Sequence, residues 1–147
     1  MSARAWLSLG ANLGDPAAQL AEAVRRIAAH PEIDVVAQSR LLRTKPWGKT
    51  DQPDFTNMAL ALETTLAPLD LLDALQAIET ALGRVRKEVW GPRVIDIDII
   101  AYDHVQMRSD RLNLPHIHAH EREFVLLPLR EIDPEIADWV KAQGAMK

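Results

Sequence analysis

The chain has no cysteine among its 147 residues. That excludes disulfides, thiolate-held zinc and thiol nucleophiles, and it is compatible with a cytoplasmic location. It also lacks a basic excess: the formal net charge is −4, whereas a general nucleic-acid binder needs a basic surface. No apolar run approaches the length of a membrane span. The opening MSARAWLSLGANLGD is broken too early, by Gly10, Asn12 and Asp15, to serve as a signal peptide. Internal repeats and low-complexity linkers are missing as well. What remains is ordinary soluble composition, 48% hydrophobic and 26% charged, in a length that suits one domain spanning residues 1–147 with a good core.

The most informative stretch is Gly83 to Ile100, GRVRKEVWGPRVIDIDII. From Val94 to Ile100 it alternates with a period of two and is rich in β-branched residues, which predicts a strand. Ile95, Ile97 and Ile99 then share one face, and Asp96 and Asp98 share the other. Two residues of strand separate their Cα atoms by roughly 6.5–7 Å, so both carboxylates can turn toward a common point. Two ionised groups this close repel unless a cation compensates them, and a hard, oxygen-seeking ion such as Mg²⁺ fits that requirement. The alternative is a solvent-facing strand whose acids pair with nearby arginines. The first half of the stretch favours the functional reading. Arg84, Arg86, Lys87 and Arg93 are four cations within ten residues, beside Trp90, Gly91 and Pro92. Cations suited to phosphate oxygens next to carboxylates suited to Mg²⁺ are the equipment of phosphoryl transfer.

Along the rest of the chain, Ala3 to Leu9 reads as a strand and Gly10 to Asp15 as a turn. Asp15 is a natural cap for a helix that starts at Pro16 and runs to about His30. Ile33 to Thr44 is a second strand region. The following Gly48-Lys49-Thr50 mimics the end of a phosphate loop, but the required glycine at position 43 is Arg43 and a strand follows where a helix should. Phe55 to Thr65 is the next strand, with Met58, Leu60 and Leu62 on one face and Phe55 and Asn57 together on the other. An aromatic beside an amide suits a flat heterocycle, although such a pair also serves as packing plus a strand-end hydrogen bond. Pro68 opens a second helix, with Leu69, Leu72, Leu75, Ile78 and Leu82 predicted to face the core and Gly83 ending it. Gln76 and Glu79 lie one turn apart on its flank, a place usually solvated. Tyr102 to Asn113 reads as turns and short extended structure. His116, His118 and His120 alternate, but Pro115 and His120-Glu121-Arg122 look like a loop entering a helix. A histidine contacting a phosphate or a nucleotide therefore suits them better than a transition-metal site. Pro128 and Pro134 punctuate the tail, and Trp139 and Val140 cover an edge of the core.

Taken together, Leu9-Gly10-Ala11-Asn12-Leu13-Gly14, Arg43-Thr44-Lys45-Pro46-Trp47-Gly48, Asp51 to Asn57, Gly83 to Arg86, Trp90 to Arg93, Asp96-Ile97-Asp98 and Pro115-His116 resemble the 6-hydroxymethyl-7,8-dihydropterin pyrophosphokinase family over nearly the whole chain. The resemblance implies a ferredoxin-like α+β fold, a mixed and mostly antiparallel sheet with helices packed on both faces. It implies transfer of the β,γ-diphosphate of ATP to the pterin hydroxymethyl group, releasing AMP, in folate biosynthesis, with two Mg²⁺ ions and a monomeric protein. By motif, Asp96 and Asp98 would bind both metals. Thr44, Pro46, Trp47, Phe55, Asn57 and Phe124 would line the pterin pocket. Gln76, Glu79, Arg86, Lys87, Trp90, Arg93, Ile99, His116 and Arg122 would surround ATP, while Arg84 and Arg93 would act catalytically from a loop that closes over the reaction. Three departures stand out. The Arg86–Trp90 loop is one residue shorter than in many relatives, with Val89 where an arginine often precedes the tryptophan. Ile117-His118 follows His116 unexpectedly, and Ala11 replaces a common serine. Two other readings use the same residues: a metal-dependent phosphohydrolase or nucleotidyltransferase, and a nucleotide- or pterin-binding module without turnover.

Overall fold

The computed structural model describes residues 2–12, 14–44, 55–83 and 95–145. In chain order they form β1 (Ala3–Ala11), α1 (Pro16–Ala28), β2 (Ile33–Gln38), β3 (Leu42–Thr44), β4 (Phe55–Thr64), α2 (Pro68–Ala81) and β5 (Asp96–Tyr102). A small hairpin of β6 (Met107–Arg108) and β7 (Asn113–Leu114) follows, then a 3-10 turn (Ala119–Glu121), α3 (Glu123–Ile132) and α4 (Pro134–Ala145). The main sheet has the order β2-β4-β1-β5, with the short β3 also pairing β4. Every pairing among the described residues is antiparallel. With β3 set aside, the element order is βαββαβ and the first strand sits between the third and the last, which is the expected ferredoxin-like arrangement.

Both faces of the sheet are covered. On one, Ala5, Leu7 and Leu9 of β1, Met58, Leu60 and Leu62 of β4 and Ile97 and Ile99 of β5 pack against Leu20, Ala23 and Ile27 of α1 and Leu71 and Leu75 of α2. On the other, Trp6, Ala59, Ala61, Ile100 and Ala101 meet Val125, Leu126 and Leu129 of α3 and Ile136, Ala137 and Val140 of α4. Three of those five sheet residues are alanines, which lets the second helix layer lie close. Double burial accounts for the near-continuous apolar run of the central strands, since neither face has water to meet.

Side-chain caps start two of the helices. The Asp15 side chain accepts from Ala18 N–H at 3.2 Å, and Pro16 occupies the first helical position of α1. Asp133 does the same for α4, accepting from Ile136 N–H at 3.1 Å ahead of Pro134. α2 ends at Gly83, whose φ of +95° lies in the left-handed region that glycine occupies without strain.

Four expectations are corrected. Gly10 and Ala11 belong to β1, paired with Asn57 and Thr56, so the turn starts later than their composition suggests. The region Ile33–Thr44 is two strands, because the ladder breaks at Ser39: its N–H still donates to Ala59 C=O at 2.9 Å, but Ala59 N–H donates to its Oγ at 2.9 Å, and that hydroxyl donates to Arg40 C=O at 2.8 Å. Of the α2 residues expected to face the core, Leu75 is buried and Leu72, Ile78 and Leu82 pack half-buried against it, but Leu69 is 37% exposed, and the buried stripe also takes in Leu71 and Glu79. Pro128 lies inside α3 instead of ending it: the N–H it lacks would face Phe124 in the first turn, and its ring is buried.

Candidate active site

β5 is at one end of the sheet order, so one of its edges has no strand partner among the described residues. Along that edge lies a cleft of about 260 Å³, lined by residues of β5, α2 and the segment after the β6–β7 hairpin. The alternation of β5 works as expected: Ile95, Ile97 and Ile99 are buried, Asp96 is half-buried and Asp98 is exposed. Asp96, Asp98, Gln76, Glu79, Ile99 and His116 all line this cleft, so six residues predicted for metal or ATP, from three separate chain segments, meet at one place.

Glu79 is not the solvated flank residue that its type suggests. It is 3% exposed, and its carboxylate accepts the backbone N–H of Ile97 at 2.8 Å. Ile97 is the residue between the two aspartates, so α2 holds the edge of β5 at the point from which both carboxylates project. On the far side of the cleft, His116 N–H donates to Ile100 C=O at 2.9 Å and ties the incoming segment to the same strand. The His116 ring accepts from His118 N–H at Nδ1, 3.2 Å away. Burial, with the charges of Arg122 and His118 adding to it, lowers its pKa from 6.5 to about 4. At neutral pH the ring is therefore uncharged, with its proton on Nε2 available for donation.

Of the predicted pterin residues, Thr44, Phe55, Asn57 and Phe124 do not line this cleft. Thr44 pairs with Phe55 and Leu42 with Asn57, placing Thr44, Phe55 and Asn57 on one face of the sheet. Asn57 is 4% exposed, and its Nδ2 donates to Thr44 Oγ1 at 3.0 Å. β1 connects the two groups. Gly10 pairs with Asn57 on one side and with Asp96 on the other, and Ser8 pairs likewise with Ala59 and Asp98. Directly opposed residues project from the same face, so Asn57, Gly10 and Asp96 form one cross-strand row. A Cβ on Gly10 would lie 2.8 Å from Asn57 Oδ1, so the missing side chain makes room for the amide. Phe124 and Arg122 sit at the head of α3, the guanidinium carbon 5.8 Å from the ring centroid.

Sequence reasoning missed Arg111, Leu112, Asn113, Ile117 and Leu72, which also line the cleft. Arg111 donates to Asp73 and, at 3.4 Å, to Gln76 Oε1, bringing a cation against α2 from the turn of the hairpin. A lone arginine in a polar turn carries no local signal of this; only the β6–β7 pairing brings it there. Pro46, Trp47, Arg84, Arg86, Lys87, Trp90 and Arg93 lie outside the described residues.

The donor set suits a hard cation. Asp96 and Asp98 offer carboxylate oxygens from one strand face. No group of three histidine or acidic residues arranged to hold an ion occurs among the described residues. Two carboxylates with the remaining positions left to water and phosphate is the usual manner of Mg²⁺ binding, whereas an all-protein cage is not.

Comparison with known proteins gives the family. A model of the 7,8-dihydro-6-hydroxymethylpterin-pyrophosphokinase family matches residues 6–134. A 2-amino-4-hydroxy-6-hydroxymethyldihydropteridine pyrophosphokinase of Methylorubrum extorquens is 56% identical over 133 residues, covering 90% of this chain and 84% of the relative. The protein of the same name from Pseudomonas aeruginosa is 46% identical over 136 residues, 92% of this chain and 84% of the relative. Among solved structures, Plasmodium falciparum HPPK-DHPS with pteroate superposes with a TM-score of 0.72 over 92% of this chain and 39% of that longer one. At 16% identity that likeness speaks to the fold.

Proposed function

The chain belongs to the 7,8-dihydro-6-hydroxymethylpterin-pyrophosphokinase family, and we propose that it transfers diphosphate from ATP to the hydroxymethyl group of 6-hydroxymethyl-7,8-dihydropterin, releasing AMP, as a step of folate biosynthesis. The observation that carries this reading is the row Asn57–Gly10–Asp96. Two inter-strand steps of roughly 4.8 Å separate its ends. A heterocycle held at Asn57 and a phosphate chain held at Asp96 are then neighbours across a glycine that obstructs neither.

In this reading the pterin hydroxyl oxygen forms a bond to the β-phosphorus, and the bond from that phosphorus to the α,β-bridging oxygen breaks. AMP leaves with the bridging oxygen, and the hydroxyl proton is released. Asn57, oriented by Thr44, and Phe55 hold the pterin, together with Pro46, Trp47 and Phe124. Gln76, Glu79, Ile99, His116 and Arg122 form the nucleotide side with Arg86, Lys87 and Trp90, and Arg84 and Arg93 supply charge to the transferred group. Asp96 and Asp98 would hold two Mg²⁺ ions, which when bound would neutralise phosphate charge. Most of the rate then comes from orientation and fixed electrostatics. The chain acts as one domain and as a monomer, on dissolved small molecules in the cytoplasm. No helix among the described residues is long and apolar enough to cross a membrane.

The test is AMP formation from ATP, Mg²⁺ and the pterin by the parent and by Asp96→Ala. Pterin-dependent AMP that falls by about a hundredfold or more in the variant is expected. Release of phosphate that ignores the pterin would replace this reading with a hydrolase, and binding of both ligands with no AMP would replace it with a sensing module.

A further inference from the structure

The segment from His116 to Arg122 bridges the cleft and the head of α3, and it is tied in at each end. His116 N–H donates to Ile100 C=O at 2.9 Å, and Val125 and Leu126 N–H both donate to Arg122 C=O at 3.0 Å. Between those ties the 3-10 turn rests on α4. Ala119 is fully buried in the second core with Ile136, Ala137 and Val140. Near the end of α4 the contact becomes very close. A Cβ built on Gly144 would lie 2.0 Å from Cγ, 2.3 Å from Nδ1 and 2.4 Å from Cβ of His120. The His120 Cβ is fixed to the backbone, so no rotamer of the ring clears a methyl group placed there. The turn itself would have to move.

We propose that Gly144 and His120 are positioning residues for the nucleotide: their contact sets how closely the 3-10 turn approaches α4, and thereby places His116 in the cleft and Arg122 beside it. The inference rests on the nucleotide reading above. It separates the two ligands. Phe124, on the pterin side, is followed directly by Val125 and Leu126, which anchor it in the core. His116 and Arg122 flank the turn that the glycine supports. Displacement by a fraction of an ångström therefore reaches ATP before it reaches the pterin.

Binding of α,β-methylene-ATP with Mg²⁺ and binding of the pterin are measured on the parent, Gly144→Ala, His120→Gly and the double variant, with thermal midpoints for each. Gly144→Ala is expected to weaken the nucleotide analogue about tenfold and to change pterin binding less than about twofold, since small misplacements of positioning groups are costly. Removing the whole side chain, Cβ included, removes the obstacle, so the double variant should match His120→Gly within about threefold. Equal losses for both ligands, no loss for the nucleotide, or a double variant no better than Gly144→Ala would each overturn the inference. If Gly144→Ala does not fold, the double variant must; its failure to fold would also overturn it. A parent that binds no nucleotide analogue would sink the nucleotide reading first and this inference with it, whereas a binding parent with indifferent variants sinks the inference alone.

Discussion

Asn57 and Asp96 face the same residue, Gly10, from opposite sides of β1. One is a buried amide committed to Thr44, the other a half-buried carboxylate at the start of β5. The sheet thus fixes their spacing through backbone pairing.

Gly10→Ala tests that arrangement. The new methyl would lie 2.8 Å from Asn57 Oδ1, and the amide must turn away from Thr44 to admit it. A stability loss of about 1–3 kcal/mol is expected from overpacking. The KM for the pterin should rise more than the KM for ATP. Steady-state kinetics with each substrate varied in turn would check it, and equal rises would contradict the assignment of Asn57 to the pterin.

Glu79 and the N–H of Ile97 form the second test. Glu79→Gln keeps an acceptor for that N–H, whereas Glu79→Ala leaves the strand edge without it. An unpaired buried donor costs about 1–3 kcal/mol, so the alanine variant should unfold at clearly lower urea concentration than the glutamine variant. Its Mg²⁺-dependent AMP formation should fall as well, because the backbone between Asp96 and Asp98 loses its support. Equal stability of the two variants would show that the bond to Ile97 contributes little.

His116 makes stability depend on pH in a definite direction. Its folded pKa, about 4, lies below its ordinary value of 6.5, so the unfolded chain takes up the proton first. Its contribution is complete above the ordinary value and is lost as pH falls from there toward the folded value. Protonation would also deprive His118 N–H of its acceptor. Urea midpoints of the parent and of His116→Asn, compared between about pH 7 and about pH 5, should converge on acidification. A constant gap would mean that the ring takes up its proton equally well in both states.

Much of this was legible because it is local. The alternation of β5, the Asp15-Pro16 helix start and the glycine after α2 are decided by neighbours a few residues away. Glu79 escaped because a carboxylate breaks an apolar pattern even when it stands four residues beyond Leu75 and eight beyond Leu71, on the buried stripe. Its reason for burial, the N–H of Ile97, is eighteen residues further along the chain. Arg111 escaped for the same reason: its value comes from Asp73 and Gln76, which only tertiary pairing supplies. Pro128 misled in the other direction, since a residue that breaks isolated helices is held inside α3 by the core it fills.

The pairing of β5 with β1 changes register partway along. Asp96 to Ile99 pair with Gly10 to Leu7, while Ala101 and Tyr102 pair with Trp6 and Ala5, and Ile100 belongs to neither run. The strand therefore has a slip joint just past the aspartates. Chain length can vary there while each half keeps its own alignment, so an insertion or deletion near Tyr102 need not be transmitted to Asp98. The acidic end is mechanically insulated from the end that carries the chain onward into the hairpin.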